Sequence, residues 1–229
     1  MHAFHEAGYR VIATDIDTVA TSPAADHYIQ ADLAKTVTDE RYAEKTFADI
    51  NRYLDGAGLS VLLNNAAIQI LGGVDSLSRK DWQTTLDVNL VAPFIWTQAM
   101  LPALEMTKGH VINISSIHAK LTKRHFVAYA TSKAALSGLT RSMAVDLGDR
   151  VRINAIEPAA IETPMLKAGF EGKPAQYAQL EACHPINRIG QPEEVARLAL
   201  SLVNNDIGFL QGACIGLDGG ISLQLHDPD

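Results

Sequence analysis

Val111-Ile112-Asn113-Ile114-Ser115-Ser116, followed by Tyr129-Ala130-Thr131-Ser132-Lys133, is the stretch on which the reading of this chain turns. The apolar run 111–114 reads as a buried parallel strand. Ser116 stands at its carboxyl end, where open α/β sheets place their ligands. Tyr129 and Lys133 are four residues apart at the head of a run that predicts a helix to about Gly148. Leu136, Leu139, Met143 and Leu147 recur there at helical spacing and give the helix a buried face. Residues at i and i+4 lie one above the other on a helix. An ammonium close to a phenol favours the phenolate, so the spacing predicts a tyrosine pKa lowered toward neutrality. Such a tyrosine can exchange a proton with an alcohol or carbonyl oxygen. Taken alone, the pair reads equally as an ordinary amphipathic surface pair, and the rest of the chain has to decide.

Working outward, strand and helix patterns alternate. Strands are expected at 9–14, 27–31, 59–63, 110–115, 151–156 and 213–217. Helices are expected at 2–7, 36–55, 78–106 (broken near Pro93), from Tyr129 to Gly148, and from about Pro192 to Leu202. That alternation predicts an α/β fold, a doubly wound parallel sheet in a three-layer α/β/α arrangement, forming one domain over 1–229. Unusual residues collect where strands end. Asp15, closing an early strand, is placed to accept hydrogen bonds from a ribose and to repel a 2′-phosphate; it reads equally as a turn or capping aspartate. Asn64-Asn65 after Val61-Leu62-Leu63 reads equally as a turn, since asparagine tolerates left-handed backbone angles.

Composition narrows the classes. The 229 residues are 47% hydrophobic and 20% charged, ordinary for a globular protein and enough to bury a core without staples. A net charge of −7 argues against nonspecific nucleic-acid binding. The two cysteines, Cys183 and Cys214, have no metal-type spacing and suit a reducing, cytoplasmic setting. No apolar run is long enough to span a bilayer, so neither membrane nor metal is expected.

With these residues in place, the chain resembles the short-chain dehydrogenase/reductase family, of the shorter single-domain type. The resemblance runs from about residue 2 to Ile221. Asn64-Asn65-Ala66-Ala67 matches the family's Asn-Asn-Ala-Gly motif except at its last position. Asn89 matches the catalytic-helix asparagine, and Ser116 and Tyr129 have the family's separation. Tyr129 to Lys133 is its Tyr-x-x-x-Lys. Val151 to Pro158 followed by Thr163 matches the nicotinamide-gripping strand and loop, and Leu217-Asp218-Gly219-Gly220 its C-terminal signature.

The resemblance implies an oxidoreductase interconverting a secondary alcohol and a ketone, with Tyr129 as general acid or base. Lys133 would lower the tyrosine pKa and bind the nicotinamide ribose, Ser116 would hold the substrate oxygen, and Asn89 would support a water relay. Asp15 and Ile16 would bind the adenosine ribose, so NAD is expected rather than NADP. Asp32 and Leu33 would lie against the adenine. Asn65, Ala66 and Ala67 would pass beside the cofactor, and Pro158, Ile161 and Thr163 would contact the nicotinamide end. Residues 158–190 correspond to the substrate lid, with Met165, Leu166, Phe170, Tyr177 and His184 as candidate lining. Lys120, Lys123, Arg124 and His125 are expected near the mouth, as a solvated loop or as a site for an anionic substrate. Family members pair through the Tyr-Lys helix and the one before it, so a homodimer or homotetramer is expected.

The family's first strand and Gly-rich turn have no counterpart here. The chain reads as N-terminally truncated, lacking a central strand between those at 9–14 and 59–63 together with the pyrophosphate site. A catalytically silent binding or interaction subunit is therefore the alternative function. Ala67 and Ala159 each replace a family glycine.

Overall fold

Short, largely apolar runs build the six strands among the described residues, and helical periodicity the elements between them. The computed structural model describes residues 1–19, 23–204 and 207–225. The strands are β1 (Ile12–Asp15), β2 (His27–Gln30), β3 (Val61–Asn64), β4 (His110–Ile114), β5 (Arg152–Pro158) and β6 (Cys214–Leu217). The helices are α1 (His2–Glu6), α2 (Leu33–Thr38), α3 (Glu40–Leu54), α4 (Arg79–Leu86), α5 (Ala92–Thr107), α6 (Val127–Leu147), α7 (Pro164–Gly169), α8 (Pro174–Ala182) and α9 (Pro192–Asn204).

Every strand pairing is parallel, and the strands fall into two sheets. β1 pairs with β2, while β3, β4, β5 and β6 pair in that order. The doubly wound parallel sheet was expected to lack a strand between those at 9–14 and 59–63, and the observed break lies there, between β1 and β3. The neighbours have not closed it. Val11 and Asp15 turn their carbonyls to β2, accepting from His27 and Ala31, and Ser60 turns its carbonyl to β4, accepting from His110. Because backbone direction alternates along a strand, Ile12 and Thr14 of β1 and Val61 of β3 present their N–H and C=O groups to the gap. Leu63 faces the same way, its carbonyl accepting from the Asn65 N–H.

The two sheets nonetheless share their layers. Ile12 and Leu62 pack on one core, built from Ile50 and Leu54 of α3, Trp96, Met100 and Leu104 of α5, Met143 and Leu147 of α6, and Val111 and Ile153. Val11 and Val61 pack on the opposite core, with Phe4 of α1, Ala199 and Leu202 of α9, and Ile112 and Ile156. This is the expected three-layer α/β/α arrangement. Met100 and Leu104 are almost wholly buried, worth about 1.5–3 kcal/mol each against exposure.

Two helical expectations needed correction. The expected helix 36–55 is two: Asp39 adopts an extended conformation and caps α3 by accepting from the Tyr42 N–H, as Asp32 caps α2 through Lys35. The break expected near Pro93 is a π-helical turn, Asp87–Val91, that joins α4 to α5 and carries Asn89. Proline lacks the N–H that an α-helical ladder would need, and the wider turn accommodates it.

Candidate active site

β4 delivers Ser115 and Ser116 to the carboxyl edge of the larger sheet. The Ser115 N–H donates to the Ile156 carbonyl at 2.8 Å, which fixes the strand end against β5. Ser116 is extended, buried, and caps a short 3₁₀ turn, Ile117–Ala119, by accepting from the His118 N–H. Its hydroxyl also acts on the Tyr129 phenol, in the direction that lowers the phenol's pKa. α6 presents Tyr129 and, one turn on, Lys133, which is 2% exposed. The Lys133 Nζ donates to the Ile114 carbonyl at 2.7 Å and lies 5.7 Å from the Tyr129 ring centroid. Ser116, Tyr129 and Lys133 thus lie on adjoining elements at the carboxyl end of β4.

The electrostatics differ from the spacing argument. Burial raises the Tyr129 pKa above its ordinary 10.0, and the Ser116 hydroxyl offsets only part of this. Lys133 is not what tunes it, because its ammonium is directed at a backbone carbonyl. Burial acts on the lysine too, lowering its pKa from 10.5 to about 8. Desolvation of both groups outweighs their mutual effect.

Asn89 is 1% exposed and works as a clamp. Its Oδ1 accepts from the Ile68 N–H, and its Nδ2 donates to the Ile68 carbonyl and to Ser132 Oγ, all at 2.9–3.0 Å. It thus ties the segment after β3 to the Tyr-Lys helix. Within the larger sheet, Asn64 Nδ2 donates to Asn113 Oδ1 and Asn113 Nδ2 to Thr140 Oγ1, so the Asn64 side chain is a core link, not only a turn.

The residues expected to hold a nicotinamide cofactor line the carboxyl ends of the strands. Asp15 is exposed at the end of β1, where Oδ1 accepts from the Ile16 N–H; Ile16 is 60% exposed. Asp32 follows β2, and its side chain is engaged as the α2 cap, while Leu33 packs partly into the core. Asn65 and Ala66 are exposed after β3, and Ala67 is half-buried. Pro158 ends β5, Ile161 bridges to Gly190, and Thr163 caps α7 by accepting from the Leu166 N–H. This donor set fits both ends of such a cofactor: an exposed carboxylate for a ribose, and a hydroxyl, phenol and ammonium at the reacting end. Between them, at the break between β1 and β3, the described residues offer no phosphate cradle.

The segment 158–190, expected to be a substrate lid, carries two helices, α7 and α8. Phe170 and Tyr177 meet edge-to-face at 5.7 Å, and Tyr177 reaches Glu162, so both hold the segment together. Leu166 is half-buried, and the side chain of Met165 lies outside the described residues. His184 is buried beside a cavity of about 50 Å³ with Arg188 and Asp218, its Nδ1 donating to the Leu180 carbonyl. Among the mouth residues, His118 stacks on Phe126 at 4.5 Å and meets Tyr129 edge-on, while Lys123 sits over the Phe126 ring. Lys120 is not free for a substrate anion: its Nζ is 2.7 Å from Glu157, a buried carboxylate that the sequence reading left without a role. The signal for Glu157 was present, as a carboxylate near the carboxyl end of a strand whose neighbouring residues Ala155, Ile156 and Pro158 are apolar.

No cluster of three or more metal-ligating side chains occurs among the described residues, and none of their helices is long and apolar enough to cross a membrane. A family model described as "Enoyl-(Acyl carrier protein) reductase" matches residues 1–222. The chain is 31% identical over 221 residues to 3beta-hydroxysteroid dehydrogenase 1 of Eggerthella lenta, covering 95% of this chain and 81% of that protein. It is 33% identical over 223 residues to cyclohexanol dehydrogenase of Acinetobacter sp., covering 93% and 85%. Its backbone superimposes on ligand-free aldohexose dehydrogenase of Thermoplasma acidophilum with a TM-score of 0.88 at 29% identity, covering 100% of this chain and 91% of that one. Sequence, backbone and the clustering of Ser116, Tyr129 and Lys133 agree, and the chain belongs to the short-chain dehydrogenase/reductase family of nicotinamide-dependent oxidoreductases.

Proposed function

We propose that the chain is an NAD(H)-dependent oxidoreductase that interconverts a secondary alcohol and a ketone. The observation that carries this reading is the buried Tyr129 phenol, with the Ser116 hydroxyl acting to lower its pKa and Lys133 fixed one helical turn away. When bound, a nicotinamide ring supplies or takes up the hydride at the carbinol carbon. Ser116 and Tyr129 converge on the oxygen of that carbon. In reduction, Tyr129, a protonated phenol at neutral pH whose pKa burial raises further, gives its proton to the oxygen as charge develops there. In oxidation it takes the proton back, and the Ser116 hydroxyl supports the phenolate. Lys133 would bind the cofactor ribose, and Asn89 ties Ile68 to the helix that carries Lys133.

Preference for NAD over NADP is supported by the charge around Asp15. Asp15 makes no ion pair among the described residues, and the Tyr28 phenol beside it has its pKa raised, first by desolvation and then by the charges of Asp15 and Asp17. A 2′-phosphate would enter a region already negative. Pairing into a homodimer or homotetramer is supported by apolar side chains left on the outer faces of α5 and α6: Phe94, Met106 and Val145 are 43%, 67% and 85% exposed. The setting is the cytoplasm, and the substrate a small alcohol or ketone; the acidic balance disfavours nucleic acid.

A binding or interaction subunit is the second reading, and the break between β1 and β3 favours it. Titration of the chain with NADH, followed by fluorescence, separates the two. Micromolar binding, with turnover of cyclohexanol-type substrates that Tyr129→Phe abolishes, supports the enzyme. Absence of binding up to millimolar NADH removes that reading in favour of the subunit.

A further inference from the structure

Glu157 is 2% exposed, yet it carries a charge into the strand beside the reacting centre. A carboxylate buried this deeply needs a cation and hydrogen bonds to remain ionised. Its cation is Lys120, 61% exposed along its side chain, with Nζ 2.7 Å from Oε2. Its hydrogen bond comes from Ser137 of α6, whose Oγ donates to Oε1 at 2.8 Å. From there a chain of polar contacts leads to the site. Ser137 Oγ meets Ser115 Oγ at 2.9 Å, and Ser115 Oγ donates to the Lys133 carbonyl at 2.9 Å. Lys133 in turn donates from Nζ to the Ile114 carbonyl.

Lys120 closes the 3₁₀ turn that Ser116 opens. β4 fixes the turn at its start. At its end the turn runs into exposed residues 121–125, where Lys120 reaches back to the carboxyl end of β5. We propose that the Lys120–Glu157 ion pair is a positioning element of the active site, holding the Ser116 turn against β5 and, through Ser137 and Ser115, setting Ser116 relative to Tyr129 and Lys133. The proposal rests on the reading of Ser116, Tyr129 and Lys133 as the reacting centre. Neither Lys120 nor Glu157 touches the reacting atoms, so the expected effects act through Ser116.

The ion pair also disposes of the single proton on each serine. With the Ser137 proton directed to Glu157 Oε1, the Ser137 oxygen can only accept from Ser115, whose single proton is shared between Ser137 Oγ and the Lys133 carbonyl. Loss of the cation leaves an unpaired buried carboxylate, which is relieved by taking up a proton or by moving toward water. Either change disturbs the contact between Ser137 and Ser115, and with it the strand end that carries Ser116.

The test compares Lys120→Met, Lys120→Arg, Glu157→Gln and the double variant Lys120→Met/Glu157→Gln. The first readout is the ionisation of the Tyr129 phenol, isolated by ultraviolet difference titration against Tyr129→Phe, which requires no turnover. Lys120→Met is expected to move that ionisation upward by about half a pH unit or more, because a loosened Ser116 supports the phenolate less. Lys120→Arg is expected to follow the wild type, and the double variant to recover at least half of the shift. The second readout is reduction of cyclohexanone by NADH, where Lys120→Met should lower kcat about tenfold while KM for NADH stays within about twofold. A Lys120→Met protein that is folded and titrates like the wild type at Tyr129 overturns the proposal, whatever its thermal stability. So does an arginine variant as impaired as the methionine one. A wild type that transfers no hydride overturns the oxidoreductase reading instead, and the titration still decides the positioning role.

Discussion

Lys133 gives the sharpest quantitative test of the site, because its placement predicts a stability penalty with a defined pH signature. In the free protein, burial lowers its pKa from 10.5 to about 8. Between those values the unfolded chain holds a proton that the folded chain has released. Stability attributable to this residue therefore rises with pH across that window, and below pH 8 the folded state carries the full cost of a buried ammonium. A shift of this size corresponds to roughly 3 kcal/mol at 1.36 kcal/mol per pH unit. Lys133→Met keeps an unbranched side chain of similar length, removes the charge, and gives up the hydrogen bond to Ile114, worth about 1 kcal/mol.

The variant should then be more stable than the wild type at pH 7 by about 2 kcal/mol, or roughly 4–8 °C in Tm for a chain of this size. It should also be unable to catalyse hydride transfer. Chemical denaturation of both proteins at a series of pH values between 7 and 10.5 is the assay. The difference between them, free of the other titrating groups they share, should shrink steadily above pH 8 as the wild-type lysine discharges. A variant less stable than the wild type at pH 7, with a difference that does not change with pH, would refute the reasoning. It would mean that the ammonium is well solvated or well paired in the fold.

Other expectations follow from the same structure. Amide hydrogens of Ile12, Thr14, Val61 and Leu63 face the break between the sheets and should exchange much faster than those of Ile112 and Ile153 in the paired interior of the larger sheet; comparable protection by hydrogen-exchange measurements would show the gap to be closed. His110 is buried, with Arg152 at 2.7 Å from its Nε2, and burial followed by the arginine charge lowers its pKa from 6.5 to about 4. Its folded pKa lies below the unfolded value, so stability should fall as the pH drops from 6.5 through 4, and His110→Gln should flatten that limb in acid unfolding curves. Asp15→Ser should narrow the preference for NAD over NADP about tenfold or more in cofactor titrations, and an unchanged ratio would remove Asp15 as the discriminator.

What could be read from the sequence and what could not divide along a physical line. Helical spacing couples Tyr129 with Lys133 and the end of an apolar strand marks Ser116, but joining the three rests on the family resemblance. Asp32 was legible as a residue at a strand end, but its side chain is engaged by the helix that follows. The single helix expected over 36–55 failed at Asp39, where the cap signal Asp-Glu was outweighed by apolar periodicity on either side. The lowered tyrosine pKa failed for a different reason. Spacing reports proximity, whereas the balance between desolvation and charge depends on the whole environment, and here burial wins for both Tyr129 and Lys133. Glu157 with Lys120, and Asn89 with Ile68, join residues far apart in sequence, where no periodicity links them.

The same division bears on how the molecule works. Ser116, Tyr129 and Lys133 belong to β4 and α6, inside the larger sheet whose strands pair without interruption. Asp15 and Asp32 follow β1 and β2, in a sheet that shares no backbone ladder with the first. What joins the halves is side-chain packing: Ile12 and Leu62 on one core, Val11 and Val61 on the other, and the buried hydrogen bond from Trp96 Nε1 to Thr36 Oγ1 at 3.1 Å, with Phe47 edge-on to the Trp96 ring at 5.3 Å. Apolar contacts of this kind are non-directional and tolerate small displacements, whereas a ladder fixes register. The reacting end of the site is therefore held more firmly than the end that would bind adenosine. Whatever holds the two sheets in register should tighten cofactor binding without altering the geometry of Ser116, Tyr129 and Lys133.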